Sequence, residues 1–95
     1  MDIKPNKQRC EKFAKENNLT IEMKDCMFRG VRTGWVSVDL PDGLITDQGN
    51  CGRFSEWDGA DISKAEIWLG VQEMMDDLIW HEWMTTEQYE AKEVN

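Results

Sequence analysis

The cleanest pattern in the chain runs from Trp35 to Leu40, where Val36, Val38 and Leu40 alternate with Trp35, Ser37 and Asp39. A two-residue period of this kind predicts a half-buried strand. Leu19, Ile21 and Met23 alternate in the same way with Thr20, Glu22 and Lys24, and Cys26 to Arg32 either continues that strand or begins another after a bend at Lys24-Asp25. Thr33-Gly34 reads as a turn. Pro41-Asp42-Gly43 reads as a tighter one, with proline presetting the first dihedral and glycine accepting a positive φ. Leu44 to Thr46 then returns as a short strand, which makes 34–46 a hairpin within a small antiparallel meander of three or four strands.

A period near 3.6 governs the rest. Residues 6–16 predict a short helix with Cys10, Phe13 and Ala14 on one face, Pro5 in its first turn and Asn17-Asn18 as its stop. Asp61 to Met84 predicts the dominant helix, opened by a Ser63/Glu66 capping box or by Asp61. On its wheel Trp68, Val71, Met75, Leu78 and Ile79 share one flank, while Ala65, Leu69, Trp80 and Trp83 extend the apolar arc on the other. Gln72, Asp76 and Glu82 interrupt the arc, and Glu66, Glu73, Asp77 and His81 form a narrow polar back. An ordinary surface helix carries a stripe of a little over 100°. This arc is wider, so helix 61–84 is expected to pack on two sides: Trp68 toward the core, the other flank toward the last helix, a second copy or a partner. Thr85-Thr86 caps a last short helix at 86–93. The glycine-broken stretch from Asp47 to Ala60 reads as a loop, long enough to be a candidate functional one. The expectation is a single α+β domain over residues 1–95, with a short N-terminal helix, the meander, and the long and short helices packed on one face of the sheet.

Charge divides this chain as sharply as hydropathy does. Residues 1–33 hold eight Lys/Arg against five Asp/Glu, and residues 34–95 hold three against fourteen, so +3 and −11 sum to the net −8. The acidic part also holds all five tryptophans, Trp35, Trp57, Trp68, Trp80 and Trp83. That balance argues against direct contact with nucleic acid phosphates or with an anionic membrane. No stretch is apolar over a bilayer's thickness, and Met1 to Pro5 has no apolar leader. Cys10, Cys26 and Cys51 are odd in number and widely spaced, which reads as three reduced thiols in a cytoplasmic protein.

Catalytic chemistry finds little purchase. Cys10, Cys26, Cys51 and His81 lack zinc spacing, and the acids lack calcium-loop spacing, so no metal or cofactor is expected. A single histidine without a nucleophile motif does not suggest a hydrolase, and Gly49-Asn50-Cys51-Gly52 lacks the Gly-Lys-Ser/Thr ending of a phosphate loop. The reading is a non-enzyme. Trp80 and Trp83 beside so many acids instead suggest a protein interface, where tryptophan is enriched. Asp58, Asp61, Glu66, Glu73, Asp76, Asp77 and Glu82 would complete it, steering the chain to a partner protein with a basic surface, such as a DNA- or RNA-binding enzyme. In size, acidity and lack of catalytic motifs the chain is similar in character to phage-encoded inhibitors of restriction and CRISPR effectors. The alternative is a homodimer formed through the broad apolar face of helix 61–84.

Overall fold

The structure is a computed structural model and describes residues 5–93. The Met1–Lys4 part of the segment read as lacking a leader lies outside the described residues. Helix α1 (Lys7–Glu16) is capped by Asn6, whose side chain accepts from the Arg9 amide at 2.9 Å. Pro5 therefore precedes the cap instead of occupying the first turn. Asn18, with φ 60°, closes the helix as its sequence implies.

Strand β1 (Thr20–Phe28) runs unbroken past Lys24-Asp25 and pairs antiparallel with β2 (Val31–Asp39). The turn between them is Arg29-Gly30, not Thr33-Gly34. Both residues have positive φ, 52° and 78°, as a two-residue hairpin turn matched to strand twist requires. Thr33 and Gly34 instead sit inside β2. Gly34 is there for space: a Cβ would meet the Lys24 carbonyl and would lie 2.8 Å from the Trp57 ring. Beyond the helices the hairpin tip exposes Met27 and Phe28.

The Pro41–Gly43 turn is present and is closed by the Leu44 amide donating to the Pro41 carbonyl, so Pro41 precedes the two corners, Asp42 and Gly43, and does not preset the first turn dihedral as expected. The expected hairpin back onto β2 does not form after it. Strand β3 (Leu44–Thr46) leaves β2 altogether, and β4 (Gly52–Gly59), inside the stretch read as a loop, takes its place beside β2. The sheet order is β1-β2-β4, antiparallel throughout. β4 escapes a pattern search because neither of its faces is uniform: Arg53, Ser55 and Trp57 point to the helix side, and Phe54, Glu56 and Asp58 point away.

Helix α2 (Lys64–Trp80) starts at Ser63, whose hydroxyl accepts from the Glu66 amide at 3.1 Å. It lies over β2 and β4, with α1 beside it over β1. Val71, Met75 and Leu78 have no exposed surface and meet Val36 and Val38 of β2, Leu40 just after it, and Cys10 and Ala14 of α1. Trp68 packs only at the margin of this core.

The helix ends four residues earlier than its pattern suggests. His81 is extended at the C-cap, and Trp83 belongs to strand β5 (Trp83–Thr85), which pairs with β3. The indole N–H of Trp83 donates at 2.8 Å to the Leu78 carbonyl, which also accepts the His81 amide at 3.4 Å at the helix end. Helix α3 (Thr86–Glu93) comes directly after β5, with Thr85 and Gln88 exchanging cap hydrogen bonds of 2.9 and 3.1 Å. It packs on the β3–β5 ribbon.

Candidate functional site

The two tryptophans paired by sequence part company. Trp83 lies half-buried against the core, and Trp80, the last residue of α2, is 85% exposed. Leu69, Glu73, Asp76 and Trp80 succeed one another at helical spacing down the outer side of α2. Leu69 is exposed there like Trp80, so apolar surface edged by acids faces outward, and Ile79 is exposed on the other flank of the arc. The wide arc does have two sides, but Trp83 is on neither.

The acids named from sequence divide into five places. Asp58 is on the outer face of β4, where the Thr33 hydroxyl donates to it at 3.4 Å. Asp61 lies in the turn before α2, and Glu82 comes just after the helix, its carbonyl accepting from the Asp47 amide at 2.8 Å. Asp76 accepts from Gln72 at 2.9 Å on the outer flank. Glu66, Glu73 and Asp77 form one stripe, and Asp77 pairs with Arg53 of β4.

That stripe borders a groove of about 560 Å³ between α2 and β4, floored by Val36, Val71 and Met74. Gly70 opens onto it, and nothing lies within 4 Å of where its Cβ would be. β4 is the last strand of its sheet, so its outer edge has no strand partner among the described residues. Arg53, Gly70 and this edge are absent from the sequence-derived site. A glycine inside a strong helical pattern was the available signal.

At the opposite edge, α1, β1 and the start of α2 enclose a second groove of about 730 Å³. Its floor is Leu19, Ile21 and Ile67, and its rim carries Lys7, Lys15 and Lys64 against Glu11 and Asp25.

His81 is not presented to either groove. Its Nδ1 lies 3.0 Å from Asp47 Oδ1 and its Nε2 3.9 Å from Asp77 Oδ1. With Arg53 these groups make a line of alternating partners tying the end of α2 to β4 and to the segment after β3. Cys10 is buried, and its thiol donates to the Trp68 carbonyl at 3.5 Å. Burial, with Asp76 and Glu11 adding repulsion, pushes this thiol above its ordinary range. Cys26 and Cys51 are free and exposed. Among the described residues no group of three or more His, Cys, Asp or Glu side chains could hold a metal ion, and no helix is long and apolar enough to cross a membrane.

No protein-family model, curated protein or solved structure matches this chain.

Proposed function

We propose that this protein is a small acidic, non-enzymatic binding module that modulates or inhibits a larger partner presenting a basic surface, of the kind found on DNA- or RNA-handling enzymes. The observation that carries this reading is Trp80, 85% exposed at the end of α2 with Glu73 and Asp76 beside it. A large indole left in water at the centre of an acidic face has the character of an interface anchor, apolar area for affinity and charge for steering. The direct test is retention of proteins from the source organism's lysate on the immobilised chain, eluted by a salt gradient. A nucleic-acid enzyme released at moderate salt by the wild type, but not held by Trp80→Ala or by Glu73→Lys/Asp76→Lys/Glu82→Lys, is the expected result. An unchanged retained set in both variants would falsify the reading.

Self-association is the second reading, favoured by Leu69 and Trp80, both exposed on the outer side of α2. Trp80→Ala alone is its proper probe, because Trp83 is engaged within its own fold. A dimer mass by light scattering that falls to a monomer in Trp80→Ala supports it, and a monomeric wild type removes it.

A further inference from the structure

The groove between α2 and β4 combines three features, of which the Arg53–Asp77 pair also ties the fold together. Its wall is a strand edge with no strand partner among the described residues, where backbone N–H and C=O groups remain open to pairing. Its rim carries Glu66, Glu73 and Asp77 against the guanidinium of Arg53 above an apolar floor. Its helical side is relieved by Gly70, in the middle of α2, where no atom of the described residues lies within 4 Å of the Cβ position. Glycine within a helix is less stable than alanine, and at Gly34 the fold returns something for it by seating Trp57. At Gly70 the fold returns nothing. What a glycine does permit there is close approach of another backbone.

We infer that an extended, basic peptide segment of a partner protein adds to β4 as a further strand and passes over Gly70. Strand addition supplies main-chain hydrogen bonds, and alternate side chains supply selectivity. Side chains on the α2 side of the added strand meet the apolar floor near Gly70 and carboxylates toward either end. Those on the other side lie alongside Phe54, Glu56 and Asp58 of β4. Both faces therefore favour apolar residues interspersed with lysine or arginine, and both reject aspartate and glutamate. This rests on reading the acidic region as a docking surface for a basic partner, but it does not need Trp80.

The probe is a phage-displayed library of random twelve-residue peptides panned on the wild-type chain, with anisotropy titrations of a labelled synthetic copy of the enriched sequence. Enrichment of strand-forming peptides rich in Lys/Arg is expected. Gly70→Leu should weaken binding at least tenfold by filling the groove, and Glu66→Lys/Glu73→Lys should do the same by reversing its rim. Circular dichroism checks that each variant is folded. Should Gly70→Leu misfold, N-methylation of alternate amides of the peptide tests strand pairing on the unaltered protein, again with at least a tenfold loss expected.

Enrichment without basic residues, or affinity indifferent to both the groove variants and N-methylation, overturns the inference. Binding lost in Trp80→Ala but kept in Gly70→Leu overturns the groove and leaves the α2 outer-face reading intact. Binding kept in Trp80→Ala and lost in Gly70→Leu supports the groove whatever becomes of Trp80. Wild-type oligomers that Gly70→Leu converts to monomers, with no peptide enriched, would make the occupant a second copy and also overturn it.

Discussion

The two edges of the sheet are built alike and charged oppositely. Each edge strand, β1 or β4, leaves a groove beside α2, and each groove has an apolar floor. At β1 the rim is lysine-rich because α1 and the start of α2 supply Lys7, Lys15 and Lys64. At β4 it is carboxylate-rich because the outward turns of α2 supply Glu66, Glu73 and Asp77. Lys7 and Lys15 come from the basic part of the chain and Glu66, Glu73 and Asp77 from the acidic part, but Lys64 comes from the acidic part too, so packing as well as sequence sets the contrast. The difference lies in what covers them. α1 packs across the β1 side and reaches α2 through Cys10, whereas on the β4 side α2 presents a glycine and no further strand lies beyond it among the described residues. One edge is partly closed by the chain itself, and the other is left for something else.

The largest disturbance to both edges at once comes from the core they share. Leu78→Ala, at a side chain with no exposed surface, should cost about 2–5 kcal/mol in urea unfolding. Loss near that range, with both grooves disabled together, would show that they stand on one cooperative unit. A smaller effect separates the edges: Lys7→Glu/Lys15→Glu should leave the affinity of the selected basic peptide within about twofold. A change as large as the roughly 1.4 kcal/mol that corresponds to tenfold in affinity would mean that the two rims are not independent.

Smaller than the core effect, too, are two substitutions along α2 of opposite sign. Ser63→Ala removes the cap on Glu66 and should cost about 1 kcal/mol. Gly70→Ala meets only open space and should add about 0.5–1 kcal/mol. If Gly70→Ala destabilises the protein, Gly70 serves the fold and the contrast between the two edges loses its sharpest feature.

The smallest effect belongs to the contact that closes the β1 side. The thiol of Cys10 is raised by burial and by Asp76 and Glu11, so its folded form keeps its proton where an unfolded thiol has begun to lose it. The stability it contributes is intact below the ordinary thiol range near about 8.5 and declines above it, as pH climbs toward the raised folded value. Alkylation at neutral pH, read by mass spectrometry of the digested protein, should modify Cys26 and Cys51 well before Cys10. Equal rates at all three would mean that α1 opens readily from α2.

The pattern of residues was sufficient wherever structure is decided within a few positions. α1 with its Asn stop, the alternation of Val36, Val38 and Leu40, the Ser63 cap and the Thr85 cap all depend on neighbours along the chain, and all were legible. So was the α+β class. The Arg29-Gly30 turn is local too, but Thr33-Gly34 close by carries more familiar turn residues and masks it. Partnerships made at a distance were beyond reading. β3 pairs with β5 and not with β2, because the sheet position beside β2 is taken by a strand whose mixed faces give no period. Trp80 and Trp83 share residue type and neighbourhood, yet one ends a helix in water and the other starts a strand against the core. Their fates were fixed by where α2 had to stop for β5 to reach β3. The sequence by itself determined the helices, the central strand and the division of charge, since caps, periodicity and composition are properties of a segment. Tertiary structure alone decided that three of the acids would line a groove between Gly70 and the β4 edge, because a groove exists only once two distant segments have been packed side by side.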